Sequence, residues 1–174
     1  MIIIISGASH TGKTVLAQRL VEKYKYSCLS EDLLKMGLIR SGQTKLTPED
    51  DREMTPYLWG IVKEIIKTAV ENRQNLIVEG CYVPFDWEKS FDEEYLPHIK
   101  AVFLVMSENY IRRNFSAIKE HASDIEKRLD DDWYDEEILI SENRFYLEGC
   151  KKYGCNVVMI EEDYSKDIQE AEAI

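Results

Sequence analysis

Short apolar runs alternate with amphipathic stretches along the 174 residues. This alternation predicts an α/β domain with a mostly parallel sheet. Ile2-Ile3-Ile4-Ile5 is apolar at every position, as a central strand covered on both faces requires. A loop spans Ser6 to Thr14. A helix runs from Lys13 to about Tyr24, with Val15, Leu16, Leu20 and Val21 on its apolar side. Tyr26 to Leu29 reads as a second strand and Glu31 to Ile39 as a second helix. Thr47 is the expected N-cap of a long helix that carries Pro48 in its first turn, with a break near Thr55-Pro56 and an end near Asn72.

Leu76-Ile77-Val78 is the third expected strand, and the segment from Cys81 to Pro97 is irregular and rich in aromatic residues. Ala101 to Val105 and Asn156 to Ile160 complete the strands. Helices are expected over 107–120, with Ser107 as N-cap, and over 135–153, on either side of a strongly charged stretch. No internal repeat or low-complexity segment interrupts this order, so residues 1–174 read as a single domain.

Acidic residues outnumber basic ones by 33 to 22, giving a net charge of −11. Such a field repels a nucleic-acid backbone or an anionic membrane surface but leaves room for a local anion site. No apolar run approaches the length of a membrane span, and Met1 to Ile5 is too short for a signal-peptide core. We therefore expect a cytoplasmic protein with neither nucleic acid nor membrane as partner. Cys28, Cys81, Cys150 and Cys155 form no C-x-x-C pair, so a zinc site is not expected, and they read as free thiols.

The specific signal is Gly7-Ala8-Ser9-His10-Thr11-Gly12-Lys13-Thr14, a full match to G-x-x-x-x-G-K-[ST]. Glycines let the loop curl so that successive N–H groups form an anion nest. The helix that follows adds its positive N-terminal end. Lys13 then reaches the β- and γ-phosphates of ATP, and the Thr14 hydroxyl is a ligand for Mg2+. By composition alone the pattern arises in about 1% of chains this long. Its placement between an apolar strand and an amphipathic helix makes coincidence rarer still.

Phosphoryl transfer also needs a metal partner, a group to receive the acceptor's proton, and cations around the moving charge. Glu79 ends a core strand, where ligands of open α/β sheets bind, and suits a place beside Mg2+. Asp32, just past the second strand, is positioned to accept a hydroxyl proton or to bind metal; Ser30-Glu31-Asp32 also fits a helix start. Arg112, Arg113, Arg128 and Arg144 supply guanidinium groups. We expect at least one of Arg112, Arg113 and Arg128 to touch ATP or substrate. Arg40 and Lys45 are further candidates for an anionic substrate, and the aromatic segment after Glu79 for a pocket wall.

With these residues in place, the chain resembles the small P-loop kinases of the nucleoside-monophosphate-kinase-like fold. Within that group it is most similar to 2-phosphoglycerate kinase, with the zeta-toxin type sharing the same logic. The resemblance is carried by Gly7 to Thr14, Ser30-Glu31-Asp32, Ile77-Val78-Glu79-Gly80 with Pro84 beyond, Arg112-Arg113, and Glu142-Asn143-Arg144. It implies a three-layer P-loop NTPase fold with a five-stranded parallel sheet in the order 2-3-1-4-5, and an arginine-bearing helical lid near residues 112–135. It also implies that Asp32 and Glu79 flank the reacting phosphates. Glu79-Gly80-Cys81-Tyr82 departs from the Asp-Gly-Phe-Pro-Arg run of adenylate kinases.

The leading expectation is thus ATP-dependent phosphoryl transfer to a hydroxyl of a small molecule: a phosphoglycerate-like acid, a sugar or a nucleotide sugar. The alternative is an ATP-binding regulatory protein with negligible turnover. The absence of an N-K-x-D run favours ATP over GTP. A nucleic-acid motor is disfavoured by the chain's length and acidity.

Overall fold

The computed structural model describes residues 1–121 and 135–173. Five strands, β1 (Ile2–Gly7), β2 (Ser27–Ser30), β3 (Leu76–Glu79), β4 (Ile99–Met106) and β5 (Val157–Ile160), form one sheet in the order β2-β3-β1-β4-β5. Every pairing is parallel. Among the described residues six helices accompany them: α1 (Lys13–Tyr24), α2 (Glu31–Arg40), α3 (Asp51–Glu71), α4 (Glu108–His121), α5 (Glu136–Tyr153) and α6 (Tyr164–Ala171). The chain is therefore α/β with the sheet order that the resemblance implied.

Burial of β1 on both faces sets the layers. Ile3 and Ile5 pack with Leu16 and Leu20 of α1, Ile111 of α4 and Ile168 of α6. Ile2 and Ile4 pack on the other side with Trp59, Val62 and Ile66 of α3 and with Phe103 of β4. Alternation along a strand sends neighbours to opposite faces, so one run of isoleucines holds helices to both sides of the sheet. Among the described residues no helix is long and apolar enough to cross a membrane.

Two local expectations give way to tertiary packing. Pro56 lies inside α3 without ending it, because Met54, Leu58, Trp59, Val62 and Ile66 bury an unbroken apolar face. That burial outweighs the single N–H that proline removes. Thr47 does not cap α3, which begins three residues later than expected, at Asp51. Instead the Thr47 N–H and Oγ1 donate to Asp50 Oδ2 at 2.7 and 3.0 Å, since a carboxylate is the stronger acceptor in this turn. Ser107 does cap α4, accepting from the Tyr110 N–H at 3.1 Å. The irregular segment after β3 contains two 3-10 turns, Trp87–Ser90 and Leu96–His98. Most of the expected lid lies outside the described residues; 112–121 simply continue α4.

Two buried polar side chains join elements on which the site depends. Asn143 of α5 is 2% exposed; its Oδ1 accepts from the Met106 N–H at 2.7 Å and its Nδ2 donates to the Leu139 carbonyl at 2.8 Å. This ties α5 to the carboxyl end of β4. Glu31, the first residue of α2, is fully buried, and its Oε2 accepts from the Tyr82 N–H at 2.8 Å. Gly80 makes that approach possible: a Cβ there would lie 2.4 Å from Glu31 Oε2.

Both contacts lead to measurable expectations. Asn143→Leu leaves the Met106 N–H buried without a partner, which costs about 2 kcal/mol; urea unfolding reads this as a lower midpoint at unchanged slope. For Glu31, burial pushes the carboxyl up from 4.5 to about 8, opposed by the Tyr82 N–H. The folded chain therefore holds a proton that the unfolded chain has lost, and stability falls as pH rises between 4.5 and 8. Glu31→Gln removes this component, so at pH 9 the variant should be more stable than the native chain by roughly 2–4 kcal/mol. The gap should close below pH 4.5.

Candidate functional site

The loop between β1 and α1 takes its shape from a close approach. Gly7 has φ 134°, and a Cβ on it would lie 2.1 Å from the Leu104 carbonyl oxygen. Only glycine lets β1 end that close to β4 and turn away. Gly12, at φ 85°, begins α1 in the left-handed region, and a Cβ there would strike the Tyr164 hydroxyl of α6. Between them His10 also has a positive φ, 61°. Successive turns of this kind aim backbone N–H groups inward, as an anion nest needs.

Within the loop the Ala8 carbonyl receives two donors, Lys13 Nζ at 2.7 Å and Thr11 Oγ1 at 2.8 Å. Lys13 is 9% exposed, and a buried ammonium requires such acceptors. The other side of the same peptide, the Ser9 N–H, donates to Glu142 Oε1 of α5 at 3.0 Å, and Ser9 Oγ donates to that oxygen at 2.9 Å. Thr14 Oγ1 donates to Glu79 Oε2 at 3.3 Å. Glu79 is 2% exposed and stands opposite Ile5 in the sheet register, so β3 carries its carboxylate beside the loop.

A second group of side chains gathers around Cys81 and Tyr82. Asp32, half-buried at the start of α2, acts electrostatically on both. Glu31 faces the same space and is influenced by Asp32, Glu79 and Lys13; its Oε1 has no hydrogen-bond partner. Lys35, 8% exposed, donates to the Pro48 carbonyl at 3.1 Å, to Asp51 Oδ1 at 3.2 Å and to the Tyr82 hydroxyl. That hydroxyl donates in turn to Asp51 at 2.7 Å. Burial, followed by the neighbouring Cys81 and the bond to Asp51, pushes the Tyr82 phenol well above its usual range. All three Lys35 protons are used, so this lysine ties α2 to α3 and the Tyr82 turn. Burial likewise pushes the Cys81 thiol up to about 12, so it stays protonated.

The structure brings Gly7 to Thr14, Glu79 and Asp32 to the carboxyl end of the sheet. Arg112 and Arg113 lie on α4, which follows β4, and both are engaged by other groups of the protein. Arg112 is held by Glu108, Glu136 and Glu137 at 2.7–2.9 Å, which keep its guanidinium well above its ordinary range. Arg113 donates to the Glu161 carbonyl at 2.8 Å, and Arg144 to Glu108 at 3.2 Å. Arg40 and Lys45 are exposed, and Arg128 lies outside the described residues. The aromatic segment packs on itself and on α5, with Phe85 against Phe145 and Tyr146. A hollow of about 860 Å3 beside Tyr24, Ser27 and Leu76 lies at the amino ends of β2 and β3, away from these residues.

Sequence reading passed over Lys35 and Tyr164, took Tyr82 only as part of an aromatic pocket wall, and assigned no role of its own to Glu142 or Glu31. The available signals were Glu142-Asn143-Arg144 and a glutamate beside Asp32, but nothing local told which carboxylate would be buried.

The donors suit a magnesium nucleotide. Among the described residues no group of three or more His, Cys, Asp or Glu is placed to hold a metal. Mg2+ in phosphate sites needs only one or two protein ligands, with phosphate oxygens and water filling the rest, and Thr14 with Glu79 supplies that number.

Comparison with known proteins agrees with this architecture. No curated protein sequence is a significant match. A sugar kinase from Janibacter sp. HTCC2649 shares 14% identity, over 99% of this chain and 92% of that one, with a TM-score of 0.59. Deoxyadenosine kinase from M. mycoides, solved with dCMP and dCDP, shares 18% over 99% and 97%, with a TM-score of 0.60. A gluconokinase from Sinorhizobium meliloti 1021 shares 18% over 98% and 89%, with a TM-score of 0.52. At these identities the likeness is one of fold. Residues 2–131 match the family described as an AAA domain; the chain belongs to that family, and its fold is that of the small P-loop kinases.

Proposed function

We propose that the chain transfers the γ-phosphoryl group of ATP to a hydroxyl of a small molecule. The observation that carries this reading is the contact between Thr14 and Glu79, 3.3 Å apart at the mouth of a loop whose lysine is already turned inward. A hydroxyl and a carboxylate from two different elements meet where Mg2+ would sit against the nucleotide phosphates. The kinases among the fold neighbours support the reaction class.

Each residue then has a definite task. The N–H groups between Gly7 and Thr14 receive the phosphates, and the positive end of α1 favours their charge. Lys13 exchanges the Ala8 carbonyl for phosphate oxygens, a short movement for an ammonium already in the loop. Thr14 and Glu79 would hold Mg2+, which when bound neutralises charge on the β- and γ-oxygens. Asp32 orients the acceptor hydroxyl and takes its proton as the bond to phosphorus forms. Lys35 fixes the wall that the acceptor meets and does not bind the acceptor itself, because its protons are committed. The partner is a small phosphoryl acceptor.

Purified protein with Mg2+ and ATP, assayed across a panel of small hydroxyl compounds, should consume ATP faster with one chemical class. Lys13→Ala should abolish the stimulated rate. Asp32→Asn should lower kcat by about a hundredfold or more while leaving ATP binding within about twofold of the native value. ATP binding with no stimulation by any compound contradicts phosphoryl transfer and favours a regulatory nucleotide switch.

A further inference from the structure

Glu142 takes no part in the reaction just described, yet it makes two hydrogen bonds to the phosphate-binding loop. Both donors, the N–H and the Oγ of Ser9, go to the same carboxylate oxygen, at 3.0 and 2.9 Å. The peptide between Ala8 and Ser9 is therefore engaged on both sides. Its carbonyl holds the Lys13 ammonium at 2.7 Å, and its N–H holds Glu142. A P-loop lysine reaches the β- and γ-phosphates, so the peptide on which it rests marks the γ end of the nucleotide site. The Glu142 carboxylate lies beside that end, away from the start of α1.

From this placement we infer that Glu142 sets the preference of the loop between nucleoside triphosphate and nucleoside diphosphate. The inference rests on the nucleotide reading of Gly7 to Thr14. A diphosphate fills the nest near Gly12 to Thr14 and leaves the bonds from Ser9 to Glu142 undisturbed. A triphosphate brings γ-oxygens to a carboxylate that occupies the Ser9 donors. It must displace that carboxylate or bind against like charge.

The helix cannot withdraw to relieve the conflict. One residue on, Asn143 is bonded to the Met106 N–H at 2.7 Å. One turn on, the Tyr146 hydroxyl donates to the Cys81 carbonyl at 2.7 Å. These two buried anchors leave rotation of the Glu142 side chain as the available response. Glu142 thus taxes the triphosphate selectively, which keeps the affinities for ATP and ADP closer than the nest alone would set them and eases exchange of product for substrate.

The test is equilibrium binding of ATP and of ADP, without acceptor and at fixed Mg2+ and ionic strength. Native protein is compared with Glu142→Gln, Glu142→Ala and Glu142→Asp. Removal of the charge in Glu142→Gln and Glu142→Ala should tighten ATP about tenfold and leave ADP within about twofold. Glu142→Asp, which keeps the charge, should stay near the native ratio; the agreement of two neutral variants of different shape separates charge from packing. An unchanged ratio of ATP to ADP affinity in Glu142→Gln, or an equal gain for both nucleotides, overturns the inference while leaving the P-loop reading intact. Failure of the native protein to bind either nucleotide overturns both.

Discussion

The Lys13 ammonium donates to the Ala8 carbonyl across the width of its own loop, and this bond gives the loop its shape before any phosphate arrives. A buried lysine without acceptors is expensive, so the charge itself draws the loop around it, and Thr11 adds a second donor to the same oxygen. The peptide so fixed presents its N–H to Glu142. The glycines at either end allow the geometry: Gly7 passes against β4 and Gly12 against Tyr164. A cradle built before its ligand binds loses little free energy to reorganisation when charge develops in it.

The second half of the site is organised by a lysine of a different kind. Lys35 is buried too, but its three acceptors come from α3, the loop before it and Tyr82. It acts as a tie that joins α2 to α3 and to the Tyr82 turn. Glu31 lies beneath Tyr82 as a buried carboxyl that keeps its proton to about pH 8, in a position stabilised by one backbone N–H and the absence of a side chain on Gly80. Arg112 of α4 and Arg144 of α5 pair with Glu108, Glu136 and Glu137, while Arg113 donates to the Glu161 carbonyl.

Features set by neighbours in sequence were legible from sequence. The isoleucines of β1, the Gly7 to Thr14 loop, the N-cap at Ser107 and Glu79 at the end of β3 are local patterns with local causes. The sheet order came from resemblance rather than periodicity, and the pairing register bears it out. Contacts between distant residues were not legible. Ser9 and Glu142 are 133 positions apart, and Lys35 and Tyr82 are 47 apart. Arg112 was one of three arginines of which at least one was expected to touch ATP or substrate, and its acidic partners on α5 come near only once the helices pack. Pro56 and Thr47 show the same limit at smaller scale: buried apolar surface carried α3 through a proline, and a carboxylate three residues on captured a threonine expected to cap.

The pairing of Thr14 with Glu79 is the point on which a magnesium-dependent phosphoryl-transfer site stands or falls. Mn2+ in place of Mg2+ makes that site visible to electron paramagnetic resonance, with ATP present and the free ion subtracted. Native protein should bind one Mn2+ per chain in an ATP-dependent manner, and Glu79→Gln should weaken that binding about tenfold or more while ATP still binds without metal. Undiminished Mn2+ binding in Glu79→Gln would contradict the account, because the carboxylate that β3 brings to the loop would then have no part in holding the metal.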